Sequence, residues 1–224
     1  MSTRKRVLLL VGSAKLPRST SESLGAYLLE RLGERGFETE TILLHRLFRA
    51  DENFGGLPAA VESADLLVLA FPLYIDSLPY LVVRALELLA RHRAVHTDEK
   101  RQPMACIVNC GFPEARHIEP AVAICRRFAE EAGFEWAGGL ALGGGERING
   151  QPLQGLGGRV RNVIRSLALT ADALADEKPV PEEAVALMAR PSIPAWMYVL
   201  VGGIGWRRRA RKHGAQRRLK DRPY

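Results

Sequence analysis

The sequence predicts an α/β fold in which a doubly wound sheet of five parallel strands carries helices on both faces. Three observations support this prediction. The strand segments are mostly continuous apolar runs, which are typical of strands buried on both faces. Segments with helical spacing follow them, so that strand and helix alternate along the chain. Five such units within 224 residues fit one open sheet with right-handed crossovers.

The N-terminal segment predicts the first strand, the first helix and the second strand. Residues 7–11 form a continuous apolar run that ends at a Gly-Ser pair. Leucines spaced by four residues then indicate a helix that ends at Gly36, and Ser19 and Glu22 stand in the capping-box relation before it. Residues 37–44 are rich in β-branched side chains, which predicts the second strand.

The middle of the chain predicts two further strands. Residues 64–71 are apolar and are followed by Pro72, which ends the third strand. Apolar side chains at helical spacing over residues 81–89 predict the next helix, and residues 104–108 predict the fourth strand. No clear periodicity marks a helix between the second and third strands, although the alternation calls for one there.

The last unit of the predicted sheet follows residue 117. Apolar side chains step by three and four over residues 118–132, which indicates an amphipathic helix. Residues 135–142 predict the fifth strand, three glycines follow it, and residues 156–174 predict the fifth helix.

The composition changes at Pro179, so we assign residues 1–178 to the core domain and residues 179–224 to a C-terminal extension. The extension contains a predicted short helix over residues 182–189 and ends in a basic tail. Residues 207–224 hold nine Arg or Lys and one acidic residue, a net charge of +8, whereas the whole chain carries +7. The basic character therefore belongs to the tail.

The composition also excludes several classes of protein. Hydrophobic residues make up 47% of the chain and charged residues 25%, as in ordered globular proteins. Three cysteines are too few for a disulfide framework and predict a reducing compartment. We recognise no export signal and no apolar run of the roughly 18 residues that a membrane helix needs, so we expect a cytoplasmic protein.

In an open parallel sheet, ligands bind at the carboxyl ends of the strands, so the loops there are candidate sites. The first loop, residues 12–21, can bind an anion through its hydroxyls, its cationic side chains and the N-terminus of the following helix. Its candidate ligands are Ser13, Lys15, Arg18, Ser19, Thr20 and Ser21. The alternative is that Ser19 only caps the helix and the rest is solvated loop.

The other loops have different compositions. The loop after the third strand contains Pro72, Leu73, Tyr74, Ile75, Asp76 and Ser77, which suit a flat aromatic ligand. The alternative is a turn with Tyr74 on the surface, in which Asp76 is a simple turn residue. The later loops contain Asn109, Gly111, Phe112 and Glu114, and then Gly143, Gly144 and Gly145. Glycines in these loops leave backbone N–H groups free to approach a ligand. The alternative is that the three glycines form only a flexible loop.

Taken together, the four loops resemble those of the NADPH-dependent FMN reductase family of flavodoxin-like proteins. In that family a Gly-Ser loop with spaced Ser or Asn follows the first strand, as in residues 12–21. A Pro-x-Tyr motif and then Leu-Pro follow the third strand, as in residues 72–79. The Lys and Asp that usually follow in the next helix are Arg84 and Glu87 here. The resemblance covers residues 6–176.

The resemblance implies a flavodoxin-like sheet with strand order 2-1-3-4-5, bound FMN and NAD(P)H as co-substrate. It implies hydride transfer from the nicotinamide to the flavin and onward reduction of a small acceptor such as a quinone, a free flavin or a metal complex. The implied FMN contacts are Ser13, Lys15, Ser19, Thr20, Ser21, Pro72, Leu73, Tyr74, Ile75, Asp76, Ser77, Asn109, Gly111, Phe112, Glu114 and Gly144. No side chain need act as acid or base, so no catalytic residue is predicted.

The resemblance also implies a homodimer, because flavin sites in this kind of fold often lie near a subunit boundary. One departure concerns the first loop, which is longer than usual and has Ala14-Lys15 in place of Pro-Arg. This departure leaves the exact set of phosphate ligands open.

Several features of the sequence bear on alternative functions. The main alternative is an electron-carrier flavodoxin, although such proteins are usually acidic. The tail could contact a membrane peripherally, but we favour packing of residues 195–206 on the core or on a second subunit, since this short run contains three glycines. No aromatic residues interleave the basic run, so no specific nucleic-acid binding is expected. The scattered histidines and cysteines predict no metal or cluster site.

Overall fold

The computed structural model describes residues 4–50, 55–95, 101–191, 195–219 and 221. Five parallel strands form one sheet in the order β2-β1-β3-β4-β5, which confirms the predicted fold class and strand order. The strands are β1 Arg6–Val11, β2 Glu38–Leu43, β3 Leu66–Pro72, β4 Gln102–Asn109 and β5 Phe134–Leu142. Between β2 at one edge and the inner strand β3 the chain passes over β1, so the switch in strand order lies between β1 and β3.

The helices follow the predicted alternation. They are α1 Thr20–Glu34, α2 Leu44–Ala50, α3 Leu57–Glu62, α4 Tyr80–Val95, α5 Glu119–Glu131, α6 Arg161–Ala175, α7 Glu182–Ala189 and α8 Ala195–Lys212. Short 3₁₀ segments span Ala115–Ile118, Gly145–Arg147, Leu153–Val160 and Gln216–Arg218. Two short helices, α2 and α3, occupy the connection in which the sequence shows no clear periodicity, since neither is long enough to display one.

Successive residues of the inner strands point to opposite faces of the sheet and fill two separate hydrophobic layers. Leu8 and Leu10 of β1 belong to the layer under α3, α4 and α5, whereas Leu9 belongs to the layer under α1, α6 and α7. All three leucines are at most 1% exposed. This double burial explains why the strand segments are continuously apolar in sequence.

The first part of the predicted extension packs on the core. Ala184 and Met188 of α7 are fully buried in the layer that also contains α1 and α6. The Ser166 hydroxyl donates to the Ala184 carbonyl at 2.6 Å, and the Val180 N–H donates to the Ala137 carbonyl of β5 at 2.7 Å. Helix α7, on the C-terminal side of the predicted boundary, is therefore anchored to the core domain. The division at residue 178 itself stays a prediction.

The second part of the extension differs from α7. Helix α8 packs on the 3₁₀ turn Gln216–Arg218 that follows it, where Ala210 is buried. Its apolar side chains at four positions are exposed: Val199, Leu200, Ile204 and Trp206. Among the described residues, no helix has both the length and the hydropathy needed to cross a bilayer.

Candidate functional site

Four loops meet at the carboxyl edge of the sheet because all five strands are parallel. Backbone hydrogen bonds extend the strand ladders into these loops. The Gly12 N–H donates to the Ala70 carbonyl at 2.8 Å, and the Leu73 N–H donates to the Asn109 carbonyl at 2.8 Å. The first residues of neighbouring loops are thus held side by side, and they bring the predicted site segments to one edge.

The N-terminus of α1 lies in the first of these loops. Ser19 caps the helix, since its hydroxyl accepts a hydrogen bond from the Glu22 N–H at 3.0 Å. The backbone N–H groups of Thr20 and Ser21 have no partner within the part of the chain that the structure describes. The first N–H groups of a helix have no intrahelical acceptor, and together with the helix dipole they form an anion site.

Two hydroxyls of this helix start hold the loops together. The Thr20 hydroxyl donates to the Gly145 carbonyl at 2.9 Å, and the Ser21 hydroxyl donates to the Asn109 side-chain oxygen at 2.7 Å. Thr20, Ser21 and Asn109 are all buried. These side chains tie the first loop to the loops after β4 and β5. The donors that α1 leaves unpaired are therefore the backbone N–H groups.

The glycines after β5 allow close backbone contact. A side chain on Gly143 would lie 2.3 Å from the Pro113 carbonyl oxygen, which no Cβ atom can do. Gly144 has a φ of 64°, in the left-handed region, and its N–H donates to the Phe112 carbonyl at 2.7 Å. The loop is thus packed against residues 112–113 and is not a free flexible segment.

The loop after β3 forms a tight two-residue turn. Tyr74 and Ser77 exchange both backbone hydrogen bonds at 3.0 Å. Ile75 and Asp76 at its tip have φ values of 48° and 55°, as a type I′ turn requires. The Ile75 side chain is completely exposed and Tyr74 is about half exposed. A β-branched residue in this conformation is strained, which is typical of functional loops.

The loop after β4 presents a second apolar side chain. Phe112 is 54% exposed, and its ring lies against His117 with the ring centroids 4.9 Å apart. The Glu114 carboxylate lies 4.0 Å from the same imidazole. Burial raises the pKa of the neighbouring Cys110 thiol, which donates to the Phe112 carbonyl. Cys110 is thus a protonated, structural thiol at neutral pH.

Two supporting contacts were not predicted from the sequence. The buried His45 donates from Nδ1 to the Ser13 carbonyl at 3.0 Å and so positions the first loop. The Lys15 ammonium donates to the Asn149 side chain, which directs this lysine towards the loop after β5. The only available signal for His45 was its position directly after the second strand, at the same edge of the sheet.

The fold and the loop edge together define a doubly wound α/β protein with its candidate site at the carboxyl edge of the sheet. The sequence profile of the NADPH-dependent FMN reductase family matches residues 5–116, which is half of the chain. The chain belongs to this family, and it is an NAD(P)H-dependent oxidoreductase of the FMN reductase type. No curated protein matches the chain in sequence.

Solved structures share the fold. RosB with a bound 8-demethyl-8-formylriboflavin-5′-phosphate intermediate has a TM-score of 0.59 at 13% identity, covering 90% of this chain and 87% of RosB. An FMN-dependent NADH-azoreductase from Bacillus anthracis, in complex with FMN, has a TM-score of 0.53 at 13% identity, covering 76% and 99%. The apo NADH:FMN oxidoreductase EMOB has a TM-score of 0.52 at 16% identity, covering 85% and 96%. At these identities the likeness concerns the fold alone.

Proposed function

We propose that this protein binds FMN at the carboxyl edge of its sheet and uses NAD(P)H to reduce a small acceptor such as a quinone or a free flavin. One observation carries the proposal: the unpaired N–H groups of Thr20 and Ser21 lie at the switch between β1 and β3. A helix N-terminus at that position suits the terminal phosphate of FMN. The residues present therefore fit this cofactor.

The roles of the loops follow from their chemistry. The Thr20 and Ser21 N–H groups would hold the phosphate of FMN, and Ser13 and Lys15 belong to the same loop. The exposed turn at residues 74–77 and the loop at residues 111–114 would hold the flat ring system, with Tyr74 and Phe112 as its apolar contacts. When bound, FMN supplies the redox chemistry, the transfer of reducing equivalents from a nicotinamide to an acceptor.

We further propose a homodimer in the cytoplasm. An apolar groove between α4 and α5 supports the dimer, since Val83 and Ile124 are both exposed beside the buried Leu86. The three cysteines are free thiols, which supports a reducing compartment. Light scattering measures the mass of the assembly, and a monomer at micromolar concentration would refute the dimer.

The phosphate assignment is tested by the pair Thr20→Pro and Thr20→Val. Proline removes the N–H at the first helical position, where it is well tolerated, and Ser19 already has the extended backbone (φ −102°, ψ 162°) that a following proline requires. Valine removes only the hydroxyl, so it is the matched control. A lost hydrogen bond to a charged group costs about 1.5–3 kcal/mol, so we expect Thr20→Pro to bind FMN at least about tenfold more weakly than Thr20→Val.

FMN affinity is measured by fluorescence titration of the apoprotein, and the visible spectrum reports whether flavin co-purifies. Equal FMN affinities in the two variants would show that the phosphate does not bind at the N-terminus of α1. Steady-state oxidation of NADPH and NADH by the purified protein separates the enzyme from the electron carrier. A protein that binds FMN but oxidises neither nicotinamide would be a carrier.

A further inference from the structure

A polar cavity lies between the 3₁₀ segment Leu153–Val160, the start of α6 and the end of α7. Its volume is about 460 Å³, and four of the side chains that line it are arginines: Arg147, Arg159, Arg161 and Arg190. None of the described residues that line it is acidic. We call this feature the arginine pocket.

No acidic side chain within the part of the chain that the structure describes pairs with the arginine pocket. None of its four guanidinium groups makes a hydrogen bond or an ion pair with any other described residue. Neighbouring arginines differ, since Arg165 on the next turn of α6 pairs with Glu183 at 2.7 Å. Arg147 is partly buried, and burial together with the positive charge of Arg159 lowers its pKa. Like charges held this close favour the binding of an anion.

The start of α6 adds to the positive potential. Helices favour acidic side chains in their first turn, but α6 has none there and begins with Arg161. Val160 precedes it and offers no side-chain group to cap the helix. The positive end of the helix dipole and the guanidinium groups thus face the same cavity. This arrangement is unfavourable in the empty protein and favourable around a multiply charged anion.

We propose that the arginine pocket binds a phosphate group of a small molecule, at a site separate from the FMN site. Planar guanidinium groups match phosphate oxygens in pairs, and four of them suit a dianion or a pyrophosphate better than a single carboxylate. The phosphate has two candidate sources. One is a free phosphate or pyrophosphate ion, and the other is a phosphate of NADPH.

The assignment of the phosphate to NADPH rests on the proposed function. The position of one turn supports this assignment. Glu146 and Arg147 are neighbours in the 3₁₀ turn Gly145–Arg147. The Glu146 carboxylate lies 3.6 Å from the position that a Cβ on Gly111 would occupy, at the candidate flavin loop, whereas Arg147 lines the pocket. A single turn therefore joins the two sites, so one extended dinucleotide can approach both.

The test uses calorimetric titration of the full-length protein with adenosine 2′,5′-bisphosphate, with AMP and with inorganic pyrophosphate, all at physiological salt. The variant is R159Q/R190Q. The matched control is R126Q/R127Q, which removes the same charge from exposed, ion-paired positions on α5. The basic tail is identical in both variants, so any binding that the tail contributes is the same in both.

We expect the wild type and the control to bind a phosphate probe equally, and R159Q/R190Q to bind it at least about tenfold more weakly. Preference for the bisphosphate over AMP and pyrophosphate would identify the NADPH source. Pyrophosphate binding without that preference would identify the free ion. The proposal is overturned if no probe binds, or if both variants lose affinity equally. FMN titration of the same variants is independent, so a failure of the flavin proposal is distinguishable from a failure of this one.

Discussion

Ile75 lies at the tip of the turn after β3 with a left-handed backbone and a fully exposed side chain. This conformation costs roughly 1–2 kcal/mol for a residue other than glycine, and a β-branched side chain tolerates it poorly. The exposed side chain recovers none of that cost by packing within the protein. A ligand that contacts Ile75 would explain why an unfavourable residue occupies the turn.

We therefore expect Ile75→Asn to stabilise the apoprotein and to weaken FMN binding. Asparagine tolerates the left-handed region, so the free energy of unfolding should rise by about 1 kcal/mol. Urea denaturation measures the stability and fluorescence titration measures the affinity. Val95→Asn is the control, because Val95 is 75% exposed at the end of α4 without positive φ. An apoprotein that is not stabilised would show that the turn is unstrained, and unchanged FMN affinity would show that Ile75 does not contact the cofactor.

Sequence reasoning at the scale of single residues succeeded where the relevant partner was close along the chain. The Ser19 cap was predicted because its acceptor role depends on Glu22, three residues later. The contacts of His45 with Ser13 and of Ser21 with Asn109 join residues that are 32 and 88 positions apart. Such contacts depend on which loops the strand order brings together, and no local pattern encodes them.

Among the elements, α7 is the helix whose packing bears on the predicted domain boundary at residue 178. Its period is helical and its length was predicted correctly, but composition alone assigned it to the extension. Ala184 and Met188 are completely buried, whereas the prolines at 179 and 181 suggested a boundary there. Proline also occurs at the entry of a packed helix, where its missing N–H costs little, so the composition change was an ambiguous signal.

The packing of α7 gives a direct test. Met188→Ala removes a fully buried side chain, and we expect it to lower the free energy of unfolding by about 2–5 kcal/mol. Val185→Ala, at a 36% exposed position on the same helix, should change it by less than about 0.5 kcal/mol. Chemical denaturation measures both. If Met188→Ala were as mild as its control, the boundary at residue 178 would be supported.

At the scale of the whole molecule, the basic tail and the candidate flavin site lie in different parts of the chain. The loops of the candidate flavin site all precede residue 151, while nine of the basic residues lie after residue 206. Helix α8 exposes Val199, Leu200, Ile204 and Trp206, so these four side chains are not packed on the core. The tail can attract nicotinamide phosphates only over a Debye length of about 8 Å at physiological salt.

Deleting residues 207–224 should therefore leave the FMN content and the maximal rate of NAD(P)H oxidation nearly unchanged. At most it should raise the Michaelis constant for the nicotinamide, and only at low ionic strength, since salt screens the attraction. Parallel assays of the full-length and truncated proteins at low and physiological salt measure this. A folded truncation that loses its flavin or most of its rate at physiological salt would make the tail part of the active site.

The overall architecture was predictable because buried parallel strands carry a strong apolar signal and the crossover rules allow few topologies. The arginine pocket was not predictable, although three of its members lie within 15 residues. Its fourth, Arg190, comes from the end of α7. That no acidic side chain among the described residues pairs with these arginines is visible only in the three-dimensional structure.

The two edges of the sheet have different protection against strand-to-strand aggregation. The outer strand β2 is exposed and polar, with Glu38 and Glu40 along it, and such charges discourage another chain from pairing there. Strand β5 carries one charged side chain, Glu135, and Val180 caps its backbone at Ala137. A chain from which residues 179–190 detach thus exposes the β5 backbone at Ala137, which Val180 otherwise covers. Heating should therefore start aggregation at β5, and the segment leading into α7 acts as the safeguard that delays it.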